Sequence, residues 1–255
     1  DGAGRAYSSL DLREVGGSVS VPFATGLQRG EAPRTVALWL PLISTCALAG
    51  VSVAEGSRVE PAEPPEPRWL AIGDSLTQGF SVQCPTQSWV HRLARRWALP
   101  AWNLGVGGLK IEPGVVDWAL RERRWELVTV ALGSNHAWSD EDVLTVGDRA
   151  AEMAELALAG GHGRVAWILP GYKPLEEGKG PPDFMGVPLD RAAGERLRRI
   201  REILRERLSL YAPGLELVEE VAPRDPRLYP DGLHPFALGS ARYADNLDRA
   251  LGSAD

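Results

Sequence analysis

Cysteine is scarce in this sequence, and its scarcity argues against two kinds of protein. Only Cys46 and Cys84 are present, and they lie in different segments. Two cysteines cannot form the disulfide framework of a small secreted scaffold. No Cys/His cluster has the spacing of a metal site. We therefore expect no metal and no other cofactor.

The sequence also lacks a basic excess and a long apolar run. Asp and Glu (34) outnumber Lys and Arg (28), and the formal net charge of -6 gives no reason to expect nucleic acid. The apolar stretch 36–53 is interrupted by Pro41, Ser44, Thr45 and Gly50, so it is too broken to span a membrane. No signal peptide is visible, which favours a cytoplasmic protein or one whose signal peptide has been removed.

What the sequence does contain, from residue 68 onwards, is an alternation of strand and helix patterns. Apolar runs predict strands, and apolar residues at helical spacing predict helices. The predicted strands are 68–73, 101–104, 126–132, 164–169 and 214–219, and the predicted helices are 86–98, 113–124, 141–159, 188–210 and 237–251. Strict alternation predicts an α/β fold with a parallel sheet covered on both faces and right-handed crossovers.

The segment before this alternation has a different pattern. No helical period of useful length occurs there, and residues 17–23, 34–41 and 47–53 resemble short strands. Four prolines between Glu60 and Pro67 indicate a linker. The predicted organisation is an N-terminal β segment at 1–60, a Pro-rich linker at 61–67 and an α/β domain at 68–255. About 60 residues make a marginal domain, so we expect the segment either to pack on the α/β domain or to be an incomplete sandwich.

The most informative stretch is Gly73-Asp74-Ser75-Leu76-Thr77-Gln78-Gly79, between the first predicted strand and helix. A serine flanked by small glycines on a sharp turn is what an exposed nucleophile requires, because glycine tolerates the turn and keeps bulk away from the hydroxyl. A helix-capping loop would have a similar sequence.

A second motif, Asp231-Gly232-Leu233-His234, precedes the last predicted helix. A serine is activated by a base with a pKa near neutrality, usually histidine, which a carboxylate often orients. Asp231 and His234 could supply both groups from one loop.

Two further motifs follow predicted strands: Asn103-Leu104-Gly105-Val106-Gly107-Gly108 and Gly133-Ser134-Asn135. A glycine N–H and a side-chain amide can stabilise the oxyanion of a tetrahedral intermediate. Ser75, Gly108 and Asn135 all lie just beyond strand carboxyl ends, where doubly wound sheets place their sites.

Taken in chain order, these four motifs resemble the SGNH/GDSL hydrolase superfamily over residues 68–251. The resemblance implies a flavodoxin-like, three-layer αβα fold. It implies that Ser75 is the nucleophile, His234 the base and Asp231 the group that orients the base. It also implies an oxyanion hole formed by the Ser75 N–H, the Gly108 N–H and the Asn135 side chain.

The resemblance has one departure and one refinement. The third motif usually ends in aspartate, whereas this sequence has His136. His136 is therefore a candidate for substrate contact, although it could instead be a packed loop residue. Trp138 and Tyr172 are further candidates.

The N-terminal β segment resembles family 2 carbohydrate esterases and, more closely, a GDSL-type acyltransferase branch of polyketide tailoring. In some enzymes of this kind the two domains share the cleft, and if they do so here, Trp39 is the first residue to test.

The loop 170–188 is long, rich in glycine and proline, and ends near Phe184 and Met185. Such loops are often functional, and we expect this one to border the substrate pocket. Three functions remain open: hydrolysis of a small acyl ester, acyl transfer to a natural-product or sugar alcohol, and carbohydrate binding without catalysis. The expected ligand is a small-molecule ester, and the sequence does not determine the oligomeric state.

Overall fold

The computed structural model of the protein describes residue 32 and residues 35–40, 42 and 48–252. Its strands, in chain order, are β1 (Trp69–Gly73), β2 (Ala101–Gly105), β3 (Leu127–Ala131), β4 (Arg164–Ile168), β5 (Asp183–Phe184), β6 (Val187–Pro188) and β7 (Glu216–Val218). Five of them form a sheet in the order β2-β1-β3-β4-β7, in which every neighbouring pair is parallel. Strands β5 and β6 pair with each other as a small antiparallel hairpin.

Helices alternate with the strands of the sheet. They are α1 (Ser75–Gln78), α2 (Trp89–Arg96), α3 (Pro113–Glu122), α4 (Val143–Ala159), α5 (Ala193–Tyr211) and α6 (Ala237–Leu251). The prediction of an α/β parallel sheet is confirmed, because each of the five predicted strands overlaps one strand of the sheet. The helices begin where the sequence offers caps. The Ser88 and Asp142 side chains accept the N–H groups of His91 and Thr145 at the starts of α2 and α4.

The core lies on both faces of the sheet because successive side chains of a strand point to opposite faces. In β1, Leu70 and Ile72 belong to one buried cluster, whereas Trp69 and Ala71 belong to the other. Helices α3, α4 and α5 cover the first face, and helices α2 and α6 cover the second. Strand β1 lies inside the sheet, with the edge strand β2 on one side and the central strand β3 on the other.

The segment before residue 68 differs from the expectation where it is described. Residues 35–40 and 48–60 form neither strand nor helix, and the apolar side chains described there, such as Trp39 and Val51, are about half exposed. A strand requires a pairing partner, and no described residue pairs with these. The strands predicted at 34–41 and 47–53 are thus absent from their described parts. The strand predicted at 17–23 lies outside the described residues, and the domain division remains a prediction.

No helix in the described part of the chain is both long enough and apolar enough to cross a membrane.

One buried hydrogen bond joins β1 and β3 through their side chains. The Trp69 Nε1–H donates to Thr129 Oγ1 at 2.9 Å, and both residues are fully buried. We expect Thr129→Val, which removes the acceptor and keeps the shape, to lower the free energy of unfolding by about 1–3 kcal/mol because the indole N–H loses its partner. Urea denaturation measures this loss.

The control is the same substitution in a Trp69→Phe background. No donor is then left unpaired, and the further cost of Thr129→Val should be small. An equal cost in both backgrounds would mean that packing, and not the hydrogen bond, explains the loss.

Candidate active site

Ser75 lies just beyond the carboxyl end of β1, where the chain turns directly from that strand into α1. The preceding Asp74 is extended, and its Oδ1 accepts the Leu76 N–H at 2.9 Å. Ser75 is therefore the first residue of a short helix and is partly exposed. A side chain at that position projects from the edge of the sheet.

The structure brings Ser75, His234 and Asp231 into one chain of hydrogen bonds. Ser75 Oγ lies 2.8 Å from His234 Nε2, and His234 Nδ1 lies 2.7 Å from Asp231 Oδ2. Because a carboxylate can only accept, the imidazole carries its proton on Nδ1. Nε2 is then free to accept the proton of the Ser75 hydroxyl.

The Asp231 carboxylate is held by its own loop. Its Oδ1 accepts the N–H groups of Leu233 at 2.9 Å and His234 at 2.7 Å. Burial of the carboxyl opposes ionisation, but the hydrogen bonds and the charge of His234 outweigh it, and the pKa of Asp231 lies below its ordinary value. Asp231 is thus an anion facing Nδ1 at neutral pH.

A buried lysine lies beneath this loop. Lys173 is 4% exposed, and its Nζ donates a hydrogen bond to the Leu233 carbonyl. Burial lowers the pKa of the Lys173 ammonium, whereas the charges of Asp74, Asp231 and Glu176 oppose that change. Burial raises the pKa of the Asp74 carboxyl, and Lys173 opposes it. Asp74 and Lys173 are therefore an acid and a base shielded from water, and each favours the ionised form of the other.

The loop after β2, residues 105–112, is called the glycine loop. A Cβ on Gly105 would lie 2.1 Å from the Gln78 nitrogen of α1, so only glycine permits this approach. Gln78 Oε1 accepts the Gly107 N–H at 2.9 Å. Gly108 has φ 79°, is exposed, and has space around its Cα. Within the described chain, neither the Gly108 N–H nor the Ser75 N–H has a hydrogen-bond acceptor.

The loop after β3, residues 133–139, is called the asparagine loop. Asn135 lies in a 3₁₀ turn there, and its Nδ2 donates to the Leu109 carbonyl of the glycine loop at 3.0 Å. An amide nitrogen has two N–H bonds, so the second remains available to a ligand. Both predicted oxyanion donors thus lie on neighbouring loops at the same edge of the sheet as Ser75.

The three candidates for substrate contact occupy different environments. The His136 side chain is fully buried, and its two ring nitrogens contact Ile111 and Glu141. Tyr172 is buried in the core against Tyr229. Burial and the neighbouring Glu177 raise the pKa of Tyr172 to about 12. Trp138 is 37% exposed and is therefore the one of the three that solvent reaches readily.

Two aromatic rings beside His234 were not among the predicted site residues. The Phe80 ring centroid lies 4.8 Å from that of the imidazole, and the Phe184 centroid lies 5.6 Å from it. Phe184 belongs to β5, inside the loop 170–188 that the sequence placed at the pocket. Phe80 directly follows the Ser75 motif, so its position in the sequence was the available signal.

The segment before the domain also reaches this region. Gln78 Nε2 donates to the Leu42 carbonyl at 2.9 Å, and the Trp39 ring meets the His91 ring edge-on at 4.0 Å. Trp39 therefore contacts α2, whereas Leu42 contacts α1 next to the glycine loop.

The described residues contain no group of three or more His, Cys, Asp or Glu side chains arranged to hold a metal ion.

Comparison with known proteins agrees with this architecture. The model of the GDSL-like lipase/acylhydrolase family matches residues 71–242. No curated protein sequence matches the chain. Solved structures are similar in fold at low sequence identity. A protein from Bacteroides ovatus assigned as a GDSL-like lipase is 18% identical with a TM-score of 0.64, over 78% of this chain and 57% of that one.

Two smaller proteins match over almost their whole length. Est24, a carbohydrate acetylesterase from Sinorhizobium meliloti, is 16% identical with a TM-score of 0.57, over 74% of this chain and 100% of that one. The psychrotrophic esterase EstA from Pseudoalteromonas is 15% identical with a TM-score of 0.57, over 72% of this chain and 95% of that one. At these identities the likeness concerns the fold.

The buried pair of Asp74 and Lys173 yields a prediction about stability. Lys173→Met leaves Asp74 without its buried counter-charge, and we expect the free energy of unfolding to fall by about 3–5 kcal/mol at pH 7. A carboxyl whose pKa is raised by folding destabilises the protein above its ordinary pKa of 3.8. That penalty shrinks as the pH falls towards the ordinary value and vanishes below it, where both the folded and the unfolded carboxyl are protonated. The loss should therefore be smaller at pH 4 than at pH 7, as measured by urea denaturation.

Lys179→Met is the matched control, because Lys179 is an exposed lysine of the same loop that pairs with Glu177. Its effect should stay within about 0.5 kcal/mol. A loss at Lys173 that is independent of pH would contradict the role assigned to Asp74.

Proposed function

The chain belongs to the GDSL-like lipase/acylhydrolase family, and we propose that it is a serine esterase that hydrolyses esters of a small acyl group through an acyl-serine intermediate. The observation that carries the proposal is the hydrogen-bonded chain from Ser75 Oγ through His234 to Asp231, with distances of 2.8 and 2.7 Å. A nucleophile, a base and a group that orients the base are the elements of serine-mediated acyl transfer.

In the first step, Ser75 Oγ forms a bond to the ester carbonyl carbon while His234 Nε2 takes the hydroxyl proton. The carbonyl π electrons move to the oxygen, which becomes an oxyanion. Asp231, ionised and bound to Nδ1, stabilises the imidazolium that results. When the tetrahedral intermediate collapses, the bond to the alcohol breaks and His234 gives its proton to the leaving oxygen.

The oxyanion is assigned to three donors: the Ser75 N–H, the Gly108 N–H and the second N–H of the Asn135 amide. Two of them lack an acceptor within the described chain, and the third is oriented by its bond to Leu109. Preorganised donors of this kind stabilise the developing charge without reorganising during the reaction. Water then attacks the acyl-serine carbonyl carbon while His234 Nε2 takes its proton. Collapse of the second tetrahedral intermediate breaks the bond to Ser75 Oγ, which receives that proton, so the acid is released and Ser75 is restored.

Phe80 and Phe184 indicate which part of the substrate meets an apolar surface. His234 must reach the leaving alcohol to protonate it, so groups packed around the imidazole lie next to that alcohol. Two aromatic rings there suit either a hydrocarbon alcohol or the C–H face of a sugar ring. The acetylesterase activity of Est24, a structural relative, supports a small acyl group on the other side of the ester.

Hydrolysis of p-nitrophenyl acetate, butyrate and octanoate tests the proposal, with intact-protein mass spectrometry to detect the acyl adduct. Ser75→Ala should abolish both turnover and adduct. Asn135→Ala should lower kcat by about 10²–10³-fold if it donates to the oxyanion. Asp231→Asn should cost on the order of 10⁴-fold through loss of the correct histidine tautomer.

Ser209→Ala, an exposed serine of α5, is the control and should behave as the wild type. Turnover that survives in Ser75→Ala would exclude an acyl-serine mechanism. An adduct that resolves only after an alcohol is added would instead favour the acyltransferase. If the wild type shows neither turnover nor an acyl adduct with any of these esters, the result would count against the esterase.

A second prediction concerns Phe184. We expect Phe184→Ala to lower kcat/KM for phenyl acetate about 10-fold more than for ethyl acetate, because only the aromatic alcohol loses an apolar contact. The acyl group is the same in both esters, so the ratio isolates the alcohol side. Met185→Ala, at the 80% exposed neighbouring position, is the control. An equal loss on both esters would place Phe184 in a structural role.

A further inference from the structure

Two of the three proposed oxyanion donors, Gly108 and Asn135, lie on separate loops, so their relative position must be fixed by contacts between those loops. Three hydrogen bonds between described residues join the glycine loop to the asparagine loop. They are Asn135 Nδ2 to the Leu109 carbonyl at 3.0 Å, the Ile111 N–H to His136 Nε2 at 2.9 Å, and Lys110 Nζ to Ser139 Oγ at 3.1 Å.

Of these three bonds, only the one between His136 and Ile111 lies in a fully buried environment. The Lys110 side chain is 36% exposed, so water competes for its bond to Ser139. The Asn135 amide is itself one of the groups that has to be positioned. The bond of His136 is therefore the one that holds the loops together independently of solvent and of the donor.

The geometry fixes the protonation state of His136. The Ile111 backbone N–H can only donate, so Nε2 must be an unprotonated acceptor. The proton then lies on Nδ1, which donates to Glu141 Oε2 at 2.7 Å. A protonated imidazole would carry a hydrogen on both nitrogens and would lose the bond to Ile111. Only the neutral Nδ1–H form satisfies both neighbours.

The charged groups around His136 favour that neutral form. Burial lowers the pKa of His136, as do Lys110 and Arg149, whereas Glu141 raises it. Glu141 is itself held by Arg149 at 2.7 Å, and Glu112, at the start of α3, also contacts Arg149 at 3.1 Å. Glu141 thus orients the imidazole, whereas Lys110 and Arg149 disfavour protonation of His136.

On the premise of the esterase proposed above, we propose that His136 is a positioning residue that sets the oxyanion hole. Its bond to Ile111 fixes the glycine loop, with the Gly108 N–H, against the asparagine loop, with the Asn135 amide. His136 does not contact the substrate, because its side chain is fully buried. Its effect on the reaction is exerted through Gly108 and Asn135.

Two amide substitutions separate the two bonds of the imidazole. In His136→Gln the side-chain oxygen reaches the position of Nε2 and can accept from Ile111. In His136→Asn the shorter amide reaches only the position of Nδ1, so it can donate to Glu141 but leaves the Ile111 N–H unpaired. We expect kcat on p-nitrophenyl acetate to fall about 10–100-fold in His136→Asn, less than in Asn135→Ala. We expect it to stay within about 3-fold of the wild type in His136→Gln, with KM nearly unchanged in both.

His162→Ala, which removes the acceptor, is the control. His162 Nδ1 also accepts a backbone N–H, that of Trp125, at 3.2 Å, but this residue precedes β3 and lies at the opposite end of the sheet. Urea denaturation of all three variants separates stability from activity. His162→Ala leaves the Trp125 N–H without this acceptor and should keep kcat within about 2-fold, since a lost acceptor far from the site has no oxyanion donor to displace.

A double-mutant cycle completes the test. If His136 acts through Asn135 and Gly108, then His136→Asn should cost less in an Asn135→Ala background than in the wild type. Normal kcat in His136→Asn, or equal losses in the Gln and Asn variants, would overturn the proposal while leaving the esterase intact. An inactive wild type without an acyl adduct would count against the esterase itself, in which case the variants would show no difference.

Discussion

Parallel pairing brings the carboxyl ends of neighbouring strands to one edge of a sheet, and in this protein the loops leaving β1, β2 and β3 all depend on it. Gly73 at the end of β1 pairs in register with Gly105 on one side and Ala131 on the other. Ser75, Gly108 and Asn135 each follow one of these positions by a few residues. The register of three strands therefore brings the loops that carry these three residues to one edge of the sheet, although 60 residues of chain separate the first from the last.

The loop that carries Asp231 and His234 is the exception, because it follows none of these strands. It is held from below by the Lys173 ammonium, which contacts the Leu233 carbonyl, and from the side by the Ser81 hydroxyl, which donates to the Pro235 carbonyl at 2.6 Å. Both contacts use backbone carbonyls, so they constrain the loop without involving Asp231 or His234 directly. The arrangement of the site thus rests on sheet register for Ser75 and the proposed oxyanion donors, and on one buried and one part-buried polar contact for the loop of His234.

The sequence predicted the sheet and the motif positions well, for a physical reason. Strands buried on both faces appear as continuous apolar runs, as in Leu127 to Leu132. The pairing of these strands then determines where the motifs at their ends lie. The sequence did not reveal Lys173, because a lysine in a loop is ordinarily solvated. Nor did it reveal the partner of His136: Ile111 is 25 positions away and offers only a backbone N–H, which no side-chain pattern records. The strands predicted before residue 60 are absent where the structure describes those residues, since an alternating sequence alone cannot supply a pairing partner.

Gln78 has a consequence for anyone who would shorten this chain. The proline-rich stretch 61–67 looks like a natural point at which to cut, because the sheet begins just after it. Yet one side chain at the end of α1 touches both Leu42, upstream of that stretch, and Gly107, inside the glycine loop. A protein truncated there would retain every strand and helix of the sheet domain, but the Gln78 amide would lose its hydrogen bond to the Leu42 carbonyl. The boundary that matters for folding and the boundary that matters for the geometry of the site therefore fall at different residues.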